Sequence, residues 1–332
     1  MLSHPIHSDL NALYEEYASC RLCPRSCGVD RQIGETGYCG MGPVPRVARA
    51  ALHRWEEPCI SGEESGVGGS GTVFFSGCNL GCNFCQNREI SHGRSGVDID
   101  AQRLAEIFLE LQSAGACNIN LVTAVMFLPH IAEAIKLARA LGLNIPVVYN
   151  SGGYESIRAL RMLEGLIDIY LPDMKFHAPS VADRLCGAPD YFDRCREAIE
   201  EMVRQVGPPR FSRDGLMQSG VIVRHLMLPG YLFDSRKVLR YLTETYGNKI
   251  YISLMNQYTP PVPPVPGAQD RPVPAEHYEA MVRFLIDVGQ ENAYIQGEGT
   301  CSESFVPEWD GSGLSSERFQ NSLDKASNSR KS

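Results

Sequence analysis

Two groups of cysteines carry most of the chemistry that can be read from this chain. Cys20, Cys23, Cys27 and Cys39 are spaced C-x2-C-x3-C-x11-C. Cys78, Cys82 and Cys85 are spaced C-x3-C-x2-C within GCNLGCNFCQN at 77–87. Thiolates are soft ligands suited to zinc and to iron–sulfur centres. Four of them can close a tetrahedral zinc site or hold an auxiliary cluster, and spacing does not separate these for the first group. Its loop, CPRSCGVDRQIGETGYCG, looks like a glycine-turned knuckle and leans toward zinc; no metal at all is the third option. The second group is one thiolate short of either centre. Cys59, Cys117, Cys186, Cys195 and Cys301 stand alone and read as small buried apolar residues.

Bulk properties narrow the setting. The chain has 332 residues, 43% hydrophobic and 21% charged, with a formal net charge of −8 and 12 cysteines. That is an ordinary globular composition, and no block of like charge marks a nucleic-acid surface. The first residues lack a basic segment followed by an apolar one, and no apolar run is long enough for a bilayer. The expectation is a cytoplasmic protein with no membrane and no nucleic-acid partner. Cysteines in that compartment favour metal sites and free thiols over disulfides.

The elements that must position these cysteines alternate in type. Strand-like runs fall at 72–76, 118–123, 145–150, 166–173, 220–230, 249–258 and 292–296. Helix-periodic segments fall at 100–116, 129–143, 154–165, 189–207, 235–247 and 275–289. Short apolar strands alternating with amphipathic helices predict an α/β protein with a parallel sheet. Either a doubly wound sheet or a β/α barrel satisfies this pattern. Residues 1–66 read as a Cys-rich N-terminal region, a small metal-stapled or loop-rich cap, 67–311 as the core and 312–332 as a polar, disordered tail, with no internal repeat. The Pro-rich stretch at 260–274 predicts a loop near one end of the sheet.

In parallel α/β sheets chemistry gathers beyond the carboxyl ends of the strands, and the 77–87 loop follows the first predicted core strand directly. Three thiolates can hold three irons of a cubane [4Fe–4S] cluster. The fourth iron keeps an open position for a ligand with an amine and a carboxylate, as S-adenosylmethionine (SAM) has. An electron from the cluster into the sulfonium then releases a 5′-deoxyadenosyl radical, with the protein supplying placement and exclusion of water. A zinc site with a distant fourth ligand is the weaker alternative.

On these residues the sequence resembles the radical SAM superfamily, and within it the PflX-like group related to the pyruvate formate-lyase activating enzyme. The resemblance runs from about Cys20 to Gly313 and includes SGCNLGCNFCQNREIS, NINLVT, VVYNSGGY, DIYLPDMKF, IVRHLMLPG and SLMNQY. It implies a partial (β/α)6 barrel with an N-terminal Cys-rich cap. It also implies a [4Fe–4S] cluster on Cys78, Cys82 and Cys85, SAM as the second cofactor, and a low-potential donor such as flavodoxin or ferredoxin. Phe84 matches the aromatic residue beside the last ligand. After the second core strand, where such proteins carry a Gly-Gly-Glu-like segment for the methionyl amine, this chain reads VTAVM at 122–126, so only Thr123 and backbone carbonyls remain. Asn150 and Ser151 follow the third strand, Asp173 and Lys175 form the Asp-x-Lys after the fourth, and Arg224 opens the Arg-x-x-x-x-Pro-Gly of the fifth. The resemblance implies that these seven side chains bind cofactor, and His225 and Asn256 are weaker candidates. The implied function is activation of a glycyl-radical protein. The alternatives are a radical SAM enzyme acting on a small molecule or peptide side chain, and a non-catalytic iron–sulfur protein.

Overall fold

The computed structural model describes residues 10–62, 68–297 and 307–315. Among these residues ten strands run in chain order: β1 (Arg46–His53), β2 (Ser70–Phe75), β3 (Val97–Asp98), β4 (Ile119–Val122), β5 (Val147–Ser151), β6 (Ile169–Pro172), β7 (Arg210–Phe211), β8 (Met217–Leu226), β9 (Tyr251–Met255) and β10 (Ala293–Ile295). Ten helices accompany them: α1 (Leu10–Glu15), α2 (Pro58–Ser61), α3 (Arg88–Ser91), α4 (Ala101–Ser113), α5 (Leu128–Ala140), α6 (Ile157–Met162), α7 (Pro179–Cys186), α8 (Tyr191–Val206), α9 (Leu232–Thr245) and α10 (Ala275–Asp287).

Local chemistry explains the longer elements. In α4 the Asp100 carboxylate accepts from Arg103 N–H at 2.8 Å and caps the first turn. Its Leu104, Ile107, Phe108 and Leu111 then fall on one buried face. α5 opens with Pro129 in its first turn, where no N–H is missed. In the strands, successive residues go to opposite faces. Tyr149, Tyr170, Val221 and Val223 pack with the helices in the main core, while Val148, Ile169, Leu171 and Ile222 form a second cluster. The short α2 fills that second face with Cys59 and Ile60.

The seven parallel strands lie side by side in chain order, β2-β4-β5-β6-β8-β9-β10. A doubly wound sheet reverses its strand order at a switch point. This one does not, so the barrel-type alternative is realised, as six strand–helix units and a last parallel strand. It stays open: β2 gives its other edge to antiparallel β1, which also pairs with β3, while β10 pairs with β9 at the far edge. Side chains from both edges, His53 and Tyr294 among them, nevertheless line one cavity, so the sheet is strongly curled.

Two expectations are corrected. The region read as loop-rich up to residue 66 contains β1, whose alternation is masked because both of its faces are largely covered. The tail expected to be disordered from 312 onward begins as packed chain. Ala50 N–H donates to Ser312 O at 3.0 Å and Leu314 is buried against the core. The rest of that tail, and Cys301, lie outside the described residues. The Pro-rich loop sits over the cluster-type cysteine loop, where Asn83 Nδ2 donates to Pro266 O at 3.2 Å and Gln86 Nε2 to Gln257 O at 2.7 Å. No helix among the described residues is long and apolar enough to cross a membrane.

Candidate functional site

The loop at 77–87 leaves β2 at its carboxyl end. Gly77 and Gly81 adopt φ of +82° and +68°, a conformation that strains other residues. A Cβ at Gly81 would also lie 2.8 Å from Tyr38 Oη. Cys78, Cys82 and Cys85 all line one cavity of about 380 Å³. Leu80 N–H donates to Cys78 Sγ at 3.4 Å, and Ser91 Oγ–H to Cys85 Sγ at 3.4 Å. Cys82 Sγ lies 3.5 Å from Cys186 Sγ. Burial pushes the Cys78 thiol up to about 12 and raises that of Cys85. The Cys186 contact and then burial raise Cys82. A bound cation reverses this preference, because a coordinating thiol gives up its proton.

Among the described residues no three His, Cys, Asp or Glu side chains are gathered on one ion-sized point. A cubane does not require that of these three cysteines, since each thiolate serves a different iron. The donor set fits such a cluster: one buried and two half-buried thiols, N–H and O–H donors aimed at sulfur, and open space before them. Phe84 is buried beside them, edge-on to Phe176 at 6.1 Å and tilted against Tyr258 at 6.3 Å.

The parallel strand ends supply the facing wall. Thr123 lines the cavity with φ +59°, and its N–H donates to Asn150 O at 2.8 Å. That conformation is uncommon for a β-branched residue and turns the chain sharply at the mouth of β4. Beyond it, Ala124, Val125 and Met126 are buried in the core and not in the cavity. Asn150 and Ser151 line the cavity from β5. Asp173 and Lys175 line it after β6 and are ion-paired with each other. Burial opposes the Lys175 charge, but Asp173 and then Cys82 outweigh it and raise its pKa.

Arg224 lines the cavity as well, yet its guanidinium is not a free donor fork. Nε and Nη2 bind both Glu57 carboxylate oxygens at 2.9 and 2.7 Å, and Nη2 also pairs with Glu56. Burial works against both charges. Glu56 and Glu57 nevertheless hold the Arg224 pKa well up, and Arg224 holds that of Glu57 down. The two glutamates, just ahead of α2, are site residues that sequence reasoning missed. Their only local signal is the acidic pair before proline in WEEP at 55–58. His225 points away from the cavity: it is buried, with Nδ1 2.7 Å from Met174 O. Asn256 does not line the cavity either; its N–H donates to Gln296 Oε1 at 2.8 Å. The N-terminal cysteines, Cys20, Cys23, Cys27 and Cys39, come together around a separate small cavity.

The chain can now be set beside known proteins. The family model of the Radical SAM superfamily matches residues 72–242. The uncharacterized protein MJ0674 of Methanocaldococcus jannaschii is 28% identical over 254 residues, which is 74% of this chain and 67% of that protein. Streptococcus suis SuiB bound to S-adenosylmethionine is similar over 66% of this chain and 48% of its own, at 12% identity and TM-score 0.43. Methylornithine synthase (PylB) is similar over 63% and 59%, at 14% identity and TM-score 0.43. The chain thus spans about half the length of the solved structures it matches.

Proposed function

The chain belongs to the radical SAM superfamily, and on that premise we propose that it cleaves SAM reductively at a [4Fe–4S] cluster held by Cys78, Cys82 and Cys85. The observation that carries this is the convergence of those three thiols and the polar ends of β4, β5 and β6 on one cavity. When bound, the cluster and SAM supply a 5′-deoxyadenosyl radical that abstracts a hydrogen atom. The chain's own residues do the placing. Thr123 and the carbonyls at the end of β4 receive an amine, and Asn150 and Ser151 offer hydrogen bonds along the next strand. The Lys175 ammonium, steadied by Asp173, faces a carboxylate. Phe84 and Leu80 keep water from the cluster-facing wall. Arg224, fixed by Glu56 and Glu57, shapes the floor instead of gripping ligand.

For the substrate we retain the PflX-like reading, activation of a glycyl-radical protein with a flavodoxin- or ferredoxin-type donor. Cavity size supports it. About 380 Å³ lies near the lower end of the roughly 300–1,000 Å³ typical of small-molecule sites. A cofactor of nucleoside-plus-amino-acid size takes most of that space. The substrate then presents a single bond at the mouth, as a glycine on a protein loop does. A peptide side chain could be presented in the same way.

Anaerobic reconstitution with iron and sulfide, then addition of reductant and SAM, tests the reading. Wild type should form 5′-deoxyadenosine, and Cys78→Ala, Cys82→Ala or Cys85→Ala should abolish it. Undiminished product from a variant lacking all three would overturn the assignment. An EPR-detected glycyl radical on an added partner supports the activase reading, and turnover only with a free metabolite refutes it.

A further inference from the structure

Cys20, Cys23, Cys27 and Cys39 wall a cavity of about 20 Å³. Their segment folds tightly to bring them there. Cys20 N–H donates to Val29 O at 2.9 Å, Gly28 N–H to Cys20 O at 3.0 Å and Ser26 N–H to Cys23 O at 3.0 Å. Tyr38 N–H donates to Cys27 Sγ at 3.3 Å, and glycine at 37 leaves room for that sulfur, since a Cβ there would lie 2.7 Å from it. All four thiols are free.

A buried charge points to what completes the group. Arg31 is 1% exposed and lines the same cavity. Its Nη1 donates to Met126 O at 2.6 Å and lies 3.9 Å from Cys20 Sγ, its Nη2 reaches Gly42 O, and its plane sits 4.5 Å over the Tyr17 ring. Its Nε has no hydrogen-bond partner, and among the described residues its side-chain contacts are with carbonyls and a thiol and with no carboxylate. Guanidinium keeps its charge inside a protein, and a buried charge without a counter-charge is strongly unfavourable. Neutral thiols do not answer it. Four thiolates on a divalent cation carry a net charge of −2 and do.

We propose that Cys20, Cys23, Cys27 and Cys39 form a second, structural metal centre of the single-ion zinc class, with Arg31 as its buried counter-cation. The cavity has room for about one water-sized body, which suits one ion better than an eight-atom cubane. The four sulfurs are not yet gathered on one point. No three of them are gathered either, so binding draws the side chains of the set together, the exposed Cys27 included. Binding converts four thiols to thiolates and releases their protons to water.

The centre has a mechanical consequence. From the same segment, Arg25 donates to Asn79 O at 2.9 Å, Leu80 O at 3.1 Å and Cys186 O at 2.8 Å. A Cβ at Gly77 would lie 3.0 Å from Cys39 O. Val125 and Met126, the apolar residues after β4, form part of the small cavity's wall. The ion thereby buttresses both the 77–87 loop and the end of β4 from behind. This inference is independent of the SAM chemistry proposed above.

Metal analysis of the full chain tests it, with every readout taken apart from activity. The Cys78→Ala, Cys82→Ala, Cys85→Ala triple variant should retain about one zinc per chain, and adding Cys20→Ser and Cys23→Ser should remove it. Should that last variant fold poorly, Co²⁺ titration of the triple variant gives the same answer: intense thiolate-to-cobalt bands with tetrahedral d–d absorption, at one equivalent. A folded triple variant without zinc or cobalt bands overturns the proposal. So does zinc that survives loss of Cys20 and Cys23, or iron–sulfur absorbance that depends on those four cysteines.

Discussion

Replacing Arg224 with Met should expose how the floor of the cavity is held. In the wild type one guanidinium faces Glu57 in a bidentate pair and Glu56 beside it, all three side chains being largely buried. The variant leaves two carboxylates there without a cation. Breaking a buried pair from one side costs about 3–5 kcal/mol. For 332 residues the unfolding entropy is about 0.7 kcal/mol/K, so the melting temperature should fall by roughly 4–7 °C. The loss should also depend on pH. In the wild type the Glu57 pKa is held below its ordinary 4.5, so its contribution is present above that pH and lost as the pH falls below it. Without Arg224, burial, the largest influence on Glu57, outweighs the remaining hydrogen bonds from Ser253 and the Glu57 N–H and raises its pKa. The folded variant then binds more protons than its unfolded chain, and its stability falls as the pH climbs past 4.5. The difference between the proteins should therefore be larger at pH 7.5 than at pH 5. Changing all three, with Glu56→Gln and Glu57→Gln, should recover most of the loss, since a neutral set of similar volume is nearly as stable as the ion cluster. The assay is anaerobic thermal unfolding at the two pH values, at matched iron content, beside a SAM titration followed by the cluster's EPR signal. A pH-independent change under about 1 °C, with SAM affinity weakened tenfold or more, would refute the clamp and return Arg224 to direct cofactor binding.

Lys175→Met should leave iron content unchanged and weaken SAM binding by roughly ten- to a hundredfold, the equivalent of one charged hydrogen bond at about 1.5–3 kcal/mol; equilibrium titration checks it, and unchanged affinity would confine Lys175 to its pairing with Asp173. Glu155 is buried, accepts from Tyr149 Oη–H at 3.0 Å, and has its pKa raised by that burial from 4.5 to about 8. It therefore binds an extra proton in the folded state, and stability should fall between pH 4.5 and about 8. Glu155→Gln should flatten that decline by on the order of 4–5 kcal/mol, measured by denaturant unfolding across the range; a parallel pH profile would show the carboxyl to be solvated. Asp100→Ala removes the cap of α4 and should cost about 1 kcal/mol in the same assay without altering SAM affinity.

What the sequence determined alone is local. The C-x3-C-x2-C spacing directly after a strand, the alternation of strand and helix, and the placing of Thr123, Asn150, Asp173 and Lys175 at strand ends follow from repeats and intervals a few residues long. All of these residues line one cavity in the structure. Composition and periodicity did not choose between a doubly wound sheet and a barrel, because both bury the same apolar runs; only the spatial order of the strands separates them. Nor did they find the partners of Arg224. Glu57 is 167 positions away, and a guanidinium open to ligand and one closed by carboxylates read alike in one dimension. Cys186, read as a lone buried thiol, lies beside Cys82 because α7 folds under the 77–87 loop, where Asn83 N–H donates to Leu185 O at 2.9 Å. Val125 and Met126, which stand where the resemblance implies a Gly-Gly-Glu-like segment, line the small cavity of the cysteine cap, a neighbourhood visible only in three dimensions. Short-range patterns fix which face a side chain takes. Which distant side chain meets it depends on how the curled sheet brings its ends together, and that is a property of the whole chain.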